Sequence, residues 1–204
     1  MNFWKKCIQN NTQEFFTIKN YIQSLKNKTN MATYKLDPTH SEVSFKVKHM
    51  MITNVTGHFS KFDATMQSDK DDFTDAKINF EADVNTINTN NEQRDGHLKS
   101  DDFFAVDKFP KLIFQSTSLK KESDDEYKLT GDMTIHGVTK PVTLDVEYGG
   151  TVKDPYGNIK SGFTVKGKIN RKDFGLGWNA VTEAGGVVVS EDVRLNAEIQ
   201  MVKA

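Results

Sequence analysis

The stretch from Asn90 to Phe104, NNEQRDGHLKSDDFF, sets Arg94, Asp95 and His97 within four positions, next to Asp101, Asp102, Phe103 and Phe104. Residues of these types can hold a polar or anionic ligand. An arginine offers a bidentate fork to a phosphate, and a histidine can donate or accept. They can equally form a structural corner, in which Arg94 and Asp95 pair or bond the backbone and His97 fixes the loop. His49 is a third candidate, because it shares the inward parity of Phe45 and Val47 near a strand end; a satisfied, partly buried histidine is the alternative. Catalysis finds little support. There is no nucleophile elbow, no Gly-rich phosphate loop and no HExxH, and the pairs Asp101/Asp102 and Asp124/Asp125 stand in polar stretches. No catalytic residue is therefore assigned. His40, His49, His58, His97 and His136 lack compact ligand spacing, so neither a metal nor another cofactor is expected.

The elements that position these residues must come from a chain of 204 residues, the size of one domain or one domain with an appendage. With 27 basic and 28 acidic residues the net charge is −1, which leaves no electrostatic footprint for nucleic acid or an anionic membrane. Only 36% of residues are apolar and the mean hydropathy is −0.60, yet there are 14 phenylalanines. Such a chain builds a sizeable interior only if apolar residues alternate along strands. No apolar run nears the ~18 residues of a membrane span, so no stable membrane insertion is expected. The single Cys7 excludes an internal disulfide and fits a reducing compartment.

Residues 1–30 are read as an extension, poorly ordered or a short helix. Lys5 and Lys6 begin like a signal peptide, but Gln9 to Glu14 stand where its apolar core belongs. Phe15, Ile18, Ile22 and Leu25 recur at helical spacing. Met31-Ala32 would make a natural beginning, with residues 31–204 as the folded domain. A cytoplasmic location is expected, with the periplasm as the alternative.

From Thr33 the chain alternates. Val43, Phe45, Val47 and His49 fall on one face of a strand, and Ile78, Phe80, Ala82 and Val84 on one face of another. The same rhythm gives Tyr127, Leu129, Met133 and Ile135; Val142, Leu144, Val146 and Tyr148; Ile159, Phe163, Val165 and Ile169; and Val193, Leu195, Ala197, Ile199 and Met201. GHFSKFDATM and KLIFQSTS add two strands of less regular parity, for eight in all. Ser118–Glu126 reads as a charged loop, HGVTKP as a tight turn with Pro141 starting a strand, and DPYGN as a turn. Short helical pieces are predicted near MMITNV and between Asn90 and Val106, with Ser100 as an N-cap. Short connections between long one-sided strands predict an antiparallel meander that removes its edges by closing into a barrel. Periodicity alone leaves open whether the interior is hollow or filled.

Four blocks, LDPTHSEVSFKVKHMMITNVTGHFSKFDA, RDGHLKSDDFFAVDKFPKLIFQS, LTGDMTIHGVTKPVTL and INRKDFGLG, occur in this order and closely resemble the YceI-like family of polyisoprenoid-binding proteins, from Tyr34 to Val202. The resemblance implies an all-β fold, an extended eight-stranded antiparallel lipocalin-like barrel with one or two short helices. It also implies an apolar tunnel for a long isoprenoid with a quinone or pyrophosphate head, or a related amphiphile, bound without catalysis; a monomer or homodimer is expected. Phe45, Val47, Phe80, Phe103, Phe114, Met133 and Phe163 are the candidate tunnel lining, and His49, Arg94 and His97 the head-group candidates. The rival is a structural or stress-related interaction module with a filled core and no ligand.

Overall fold

The computed structural model describes residues 31–180 and 187–204, and the expectations for residues 1–30 lie outside these. Eleven strands form one antiparallel sheet: β1 (Ala32–Leu36), β2 (Glu42–His49), β3 (Thr53–Phe59), β4 (Phe62–Ser68), β5 (Lys77–Asp83), β6 (Ile87–Asn88), β7 (Lys111–Lys121), β8 (Glu126–Ile135), β9 (Val138–Lys153), β10 (Ile159–Asn170) and β11 (Val189–Lys203). One α-helix, α1 (Glu92–Lys99), lies between β6 and β7.

Three pairs of these strands are the halves of single interrupted staves. Strand β11 bonds β2 along residues 189–198 and β1 along 201–203, so β1 and β2 continue one line across a 3-10 turn at Pro38–His40. Strands β3 and β4 run opposite β2 and β1, and β6 and β5 run opposite β3 and β4. Counted this way there are eight staves. Each bonds its successor in the chain, and the last, β11, bonds back to the first. The barrel is closed, and no long edge is left to pair with another chain.

The interruptions explain why two segments alternate irregularly. Gly57 and Phe59 face inward at odd positions, then the break at Ser60–Lys61 moves the inward row to Phe62, Ala64 and Met66. In β7 a bulge between Ser116 and Ser118 shifts the row from Leu112 and Phe114 to Leu119. A one-residue slip must flip every later side chain, so the period-two pattern survives only between such points.

Three local expectations need correction. MMITNV forms no helix: Met50 and Met51 make a tight turn at positive φ, and Thr53 already begins β3. Ser100 is a C-cap, whereas Asn91 is the N-cap of α1, its side chain accepting the Arg94 N–H at 2.9 Å. Asparagine and serine cap equally well, and the helix took the earlier one. Strand β9 starts at Val138 with Pro141 inside it, and β7 extends to Lys121, so both flanking loops are shorter than expected.

Asp37 fastens the first stave to the last two. Its carboxylate accepts from the Thr39 N–H (3.1 Å) and hydroxyl (2.6 Å), from Lys160 Nζ (3.2 Å) and from Gln200 Nε2 (2.8 Å). The Thr39 hydroxyl above all, then His40 and Lys160, hold this carboxyl well below the usual range, against the opposing effect of burial. A folded-state pKa below the unfolded value of about 3.9 means the stabilisation is fully present above pH ~4. It is lost as the pH falls through the folded value. Asp37→Asn should therefore lower stability at pH 7 by about 1–3 kcal/mol, the effect of weakening charge-assisted bonds. Urea melts at pH 7 and at lower pH should show a shallower acid dependence in the variant. Equal acid slopes would show that Asp37 does not carry it.

Candidate functional site

The inward rows meet along the barrel axis without filling it. A cavity of about 140 Å³ lies at mid-barrel, walled by Phe45, Phe59, Phe80, Phe114, Met133 and Leu195, among others. A second, of about 90 Å³, adjoins it through Phe45, Phe59, Leu112 and Leu195, and is capped by Leu98, Phe103 and Phe104. A third, of about 170 Å³, opens at the end where α1 sits and shares Phe45, Val47, Leu98, Phe103 and Val189 with the second. The Phe45 ring borders all three, so one side chain partitions the bore.

That ring has room because its neighbour on β3 is glycine. A Cβ on Gly57 would stand 2.4 Å from Phe45 Cζ, and one on Gly131 would stand 2.5 Å from Phe114 Cζ. No real Cβ contact is that short, so two bare backbone positions set the width available to the lining rings.

The opposite end is shut. Residues 69–76 cross it and drive Phe73, 3% exposed, between Tyr34, Tyr148 and Phe163 at centroid distances of 5.4–5.6 Å. Asp75 holds this loop by accepting from the Ser68 hydroxyl (2.6 Å) and the Asp69 N–H (3.1 Å). Phe163, expected on the tunnel wall, belongs instead to this aromatic seal and borders none of the three voids. The other six expected lining residues border at least one void each: Phe45, Val47, Phe80, Phe103, Phe114 and Met133.

At the open end the RDGHL segment is helical, because Asn91 caps α1 and Asp95 bonds back to the preceding chain. Thr89 is the hub. Its N–H (2.9 Å) and hydroxyl (2.5 Å) donate to Asp95 Oδ1, while Arg94 Nε donates to its hydroxyl oxygen (2.7 Å) and Arg94 Nη2 to its carbonyl (2.8 Å). Arg94 reaches the mouth, but two of its nitrogens are committed to the loop. His97 is differently placed. Its Nε2 lies 2.9 Å from Asp102 Oδ2, and its ring meets Trp178 and Phe103 edge-on at 4.7 and 5.1 Å. His49 borders the same void across β2. The three head-group candidates thus share one mouth, with two aromatic walls between them.

Arg171, 3% exposed, adjoins the second void. Its guanidinium donates to the carbonyls of Ser190 (3.0 Å), Val189 (3.4 Å) and Leu176, and burial lowers its pKa, Glu191 partly offsetting this. It ties the β10–β11 connection to the barrel rim. Sequence reasoning counted neither Phe59 nor Trp178 among the ligand contacts, and did not single out Phe73 or Thr89. Phe59 follows from the parity of Gly57, but nothing in the polar run SDKDDFTDA marks Phe73 as inward. Among the described residues no cluster of three or more His, Cys, Asp and Glu converges as a metal site.

Comparison with known proteins agrees with this architecture. The YceI-like domain family matches residues 34–201. A UPF0312 protein of Staphylococcus aureus is 39% identical over 171 residues, which cover 83% of this chain and 97% of the relative. The crystal structure of a Campylobacter jejuni YCEI protein is 36% identical with a TM-score of 0.67, covering 84% of this chain and 98% of that one. Two more distant structures share the fold. One is Burkholderia cenocepacia BcnA (21% identity, TM-score 0.71, coverage 81% and 98%). The other is a polyisoprenoid binding domain from Saccharophagus degradans implicated in plant cell wall breakdown (18%, 0.61, 86% and 100%). The chain belongs to the YceI-like family.

Proposed function

We propose that the protein binds a long-chain isoprenoid or similar amphiphilic lipid inside the barrel and carries or stores it without catalysis. One observation carries this reading: the chain of apolar voids, sealed by Phe73 at one end and leading at the other to a mouth lined by His49, Arg94 and His97. Such a gradient from hydrocarbon wall to polar rim matches the two parts of an amphiphile. A polyisoprenoid binding domain among the structural neighbours and membership of the family support the same class of ligand. The bound molecule is cargo, and carriage asks for no resident cofactor.

Magnitudes limit how selective such a site can be. Each buried CH₂ is worth about 0.8 kcal/mol, so a five-carbon unit gives roughly 4 kcal/mol gross. Eight units would pass the ceiling of about 20 kcal/mol for non-covalent binding, so lost motion and imperfect contacts must remove much of it. Selectivity for chain length is accordingly loose. Recognition of the head falls to the mouth, where Trp178, Phe103 and His97 present ring edges and faces. Planar, uncharged ring heads, such as those of quinones, suit these walls better than a phosphate, because the Arg94 fork is turned toward Thr89.

The filled-barrel rival has an observation of its own in the solid aromatic seal around Phe73. Ala197 discriminates, because it faces the mid-barrel void. Ala197→Phe should fill that void, keep or raise the melting temperature, and abolish uptake of a long isoprenoid alcohol. In a barrel already packed the same change would destabilise by about 1–3 kcal/mol. Organic extraction of purified protein followed by mass spectrometry should recover close to one amphiphile per barrel, and repeatedly empty extracts would favour the rival. Trp178→Ala should weaken a ring-headed isoprenoid about tenfold, the worth of one lost aromatic contact. A plain alcohol of the same chain should be affected much less, and equal losses for both would remove Trp178 from head recognition.

A further inference from the structure

We infer that the protein docks on a lipid bilayer surface, mouth first, through the turn Met50–Met51–Ile52 and the adjacent Val187. This rests on the carriage reading above, and gives it a place where cargo enters and leaves. These four residues are 45%, 58%, 76% and 41% exposed, and make up four of the seven large apolar side chains that stand exposed among the described residues. They stand at the rim itself. His49 and Val188 border the mouth void, the Met50 N–H donates to the Val188 carbonyl at 2.7 Å, and the Ile52 N–H donates to that of His49 at 3.2 Å. The exposed collar and the apolar interior are thus joined by single residues.

The backbone makes the methionines more telling. Both central residues of the turn have positive φ, 51° for Met50 and 61° for Met51. A tight hairpin turn of this kind favours Asn-Gly, which adopts the left-handed region with little strain. Two bulky unbranched side chains sit where they strain the main chain and make water contact. Neither folding nor solubility gains from that, whereas contact with acyl chains does.

A second copy of the chain fits less well. The four exposures add up to little more than two fully exposed side chains, far below the roughly 800 Å² per partner of a stable interface. A projecting turn suits insertion between head groups better than a flat contact. The charge around it agrees. Residues 50–56 carry none, Lys46 and Lys48 are exposed on the flanking strand, and the nearby Glu191 and Asp192 are paired with Lys172 and Lys168.

The test uses the full chain with vesicles of phosphatidylcholine and phosphatidylglycerol, and solanesol as the isoprenoid probe. Wild type should float with the vesicles. The double variant Met50→Asn, Met51→Gly should lose flotation, and transfer of solanesol from vesicles should slow, each by about tenfold or more, as expected on withdrawing two methionine side chains from lipid. Its melting temperature should be equal or higher, since the turn strain is relieved, and its uptake of solanesol from detergent micelles should not change. Tyr156→Asp, exposed on the sealed end, should behave as wild type. Docking is overturned if wild type takes up solanesol from micelles yet never floats, if the double variant floats normally, or if the variant's defect is loss of a dimer in solution. If wild type floats but takes up nothing from micelles, docking stands and the carriage reading fails.

Discussion

The hydrogen-bonded closure of the sheet is the constraint from which the rest follows. Strand β11 bonds β10 on one side and both β1 and β2 on the other, so every stave has two partners and the main chain holds itself together. Cohesion of that kind does not require a full interior, and the interior is not full. Voids are still destabilising: at about 24 cal/mol per Å³, the 140 Å³ cavity alone forfeits roughly 3 kcal/mol. Against a typical stability of 5–15 kcal/mol that is a large fraction to leave unrepaid. A hydrocarbon guest would recover it, so the fold that tolerates the hollow also gains most from filling it.

The two ends of the barrel handle the same problem in opposite ways. At the sealed end Phe73, held at positive φ, brings a ring into contact with three others, and Asp75 secures the loop that carries it. There the interior is packed as an ordinary core. At the mouth the closing pieces are the α1 segment and the β10–β11 connection, which supply Leu98, Phe103, Phe104, Leu176 and Trp178 as lining while leaving a passage beside them. One blind end and one polar, aromatic opening would give the proposed guest a direction.

Much of this architecture was legible in the sequence, because strands that face water on one side write their orientation in period two. Strand β8 is the clearest case: Tyr127, Leu129, Met133 and Ile135 are all buried, in the row that alternation assigns to the interior. Where the chain breaks or bulges, at Ser60–Lys61 and between Ser116 and Ser118, the parity resets, and the same rule loses its phase. The site was less legible. Phe163 has inward parity, but parity says nothing of depth, and its partner in the seal comes from a loop far away in sequence. The turn at Met50 was misread as helical for a related reason. Its residue types fit a helix better than a left-handed turn, and only the pairing of β2 with β3 forces the latter.

The crowding of charge between Arg94 and Asp102 takes on a different meaning once the partners are known. A phosphate clamp would present the guanidinium fork outward with its nitrogens free. Here Nε and Nη2 turn back to Thr89, and Asp95 takes the remaining donors of the same residue. The cluster therefore serves to fix α1 across the rim, with Arg94 and Asp95 both anchored on Thr89, His97 on Asp102, and Asp101 on Lys108. What it holds in place is the less conspicuous part of the same stretch: His97, Leu98 and Phe103, whose rings and methyls form the wall against Trp178. Under the proposed function, a mouth built in this way would discriminate by shape and by the faces of rings. Strong selection for an anion would require undoing the very bonds that give the rim its form.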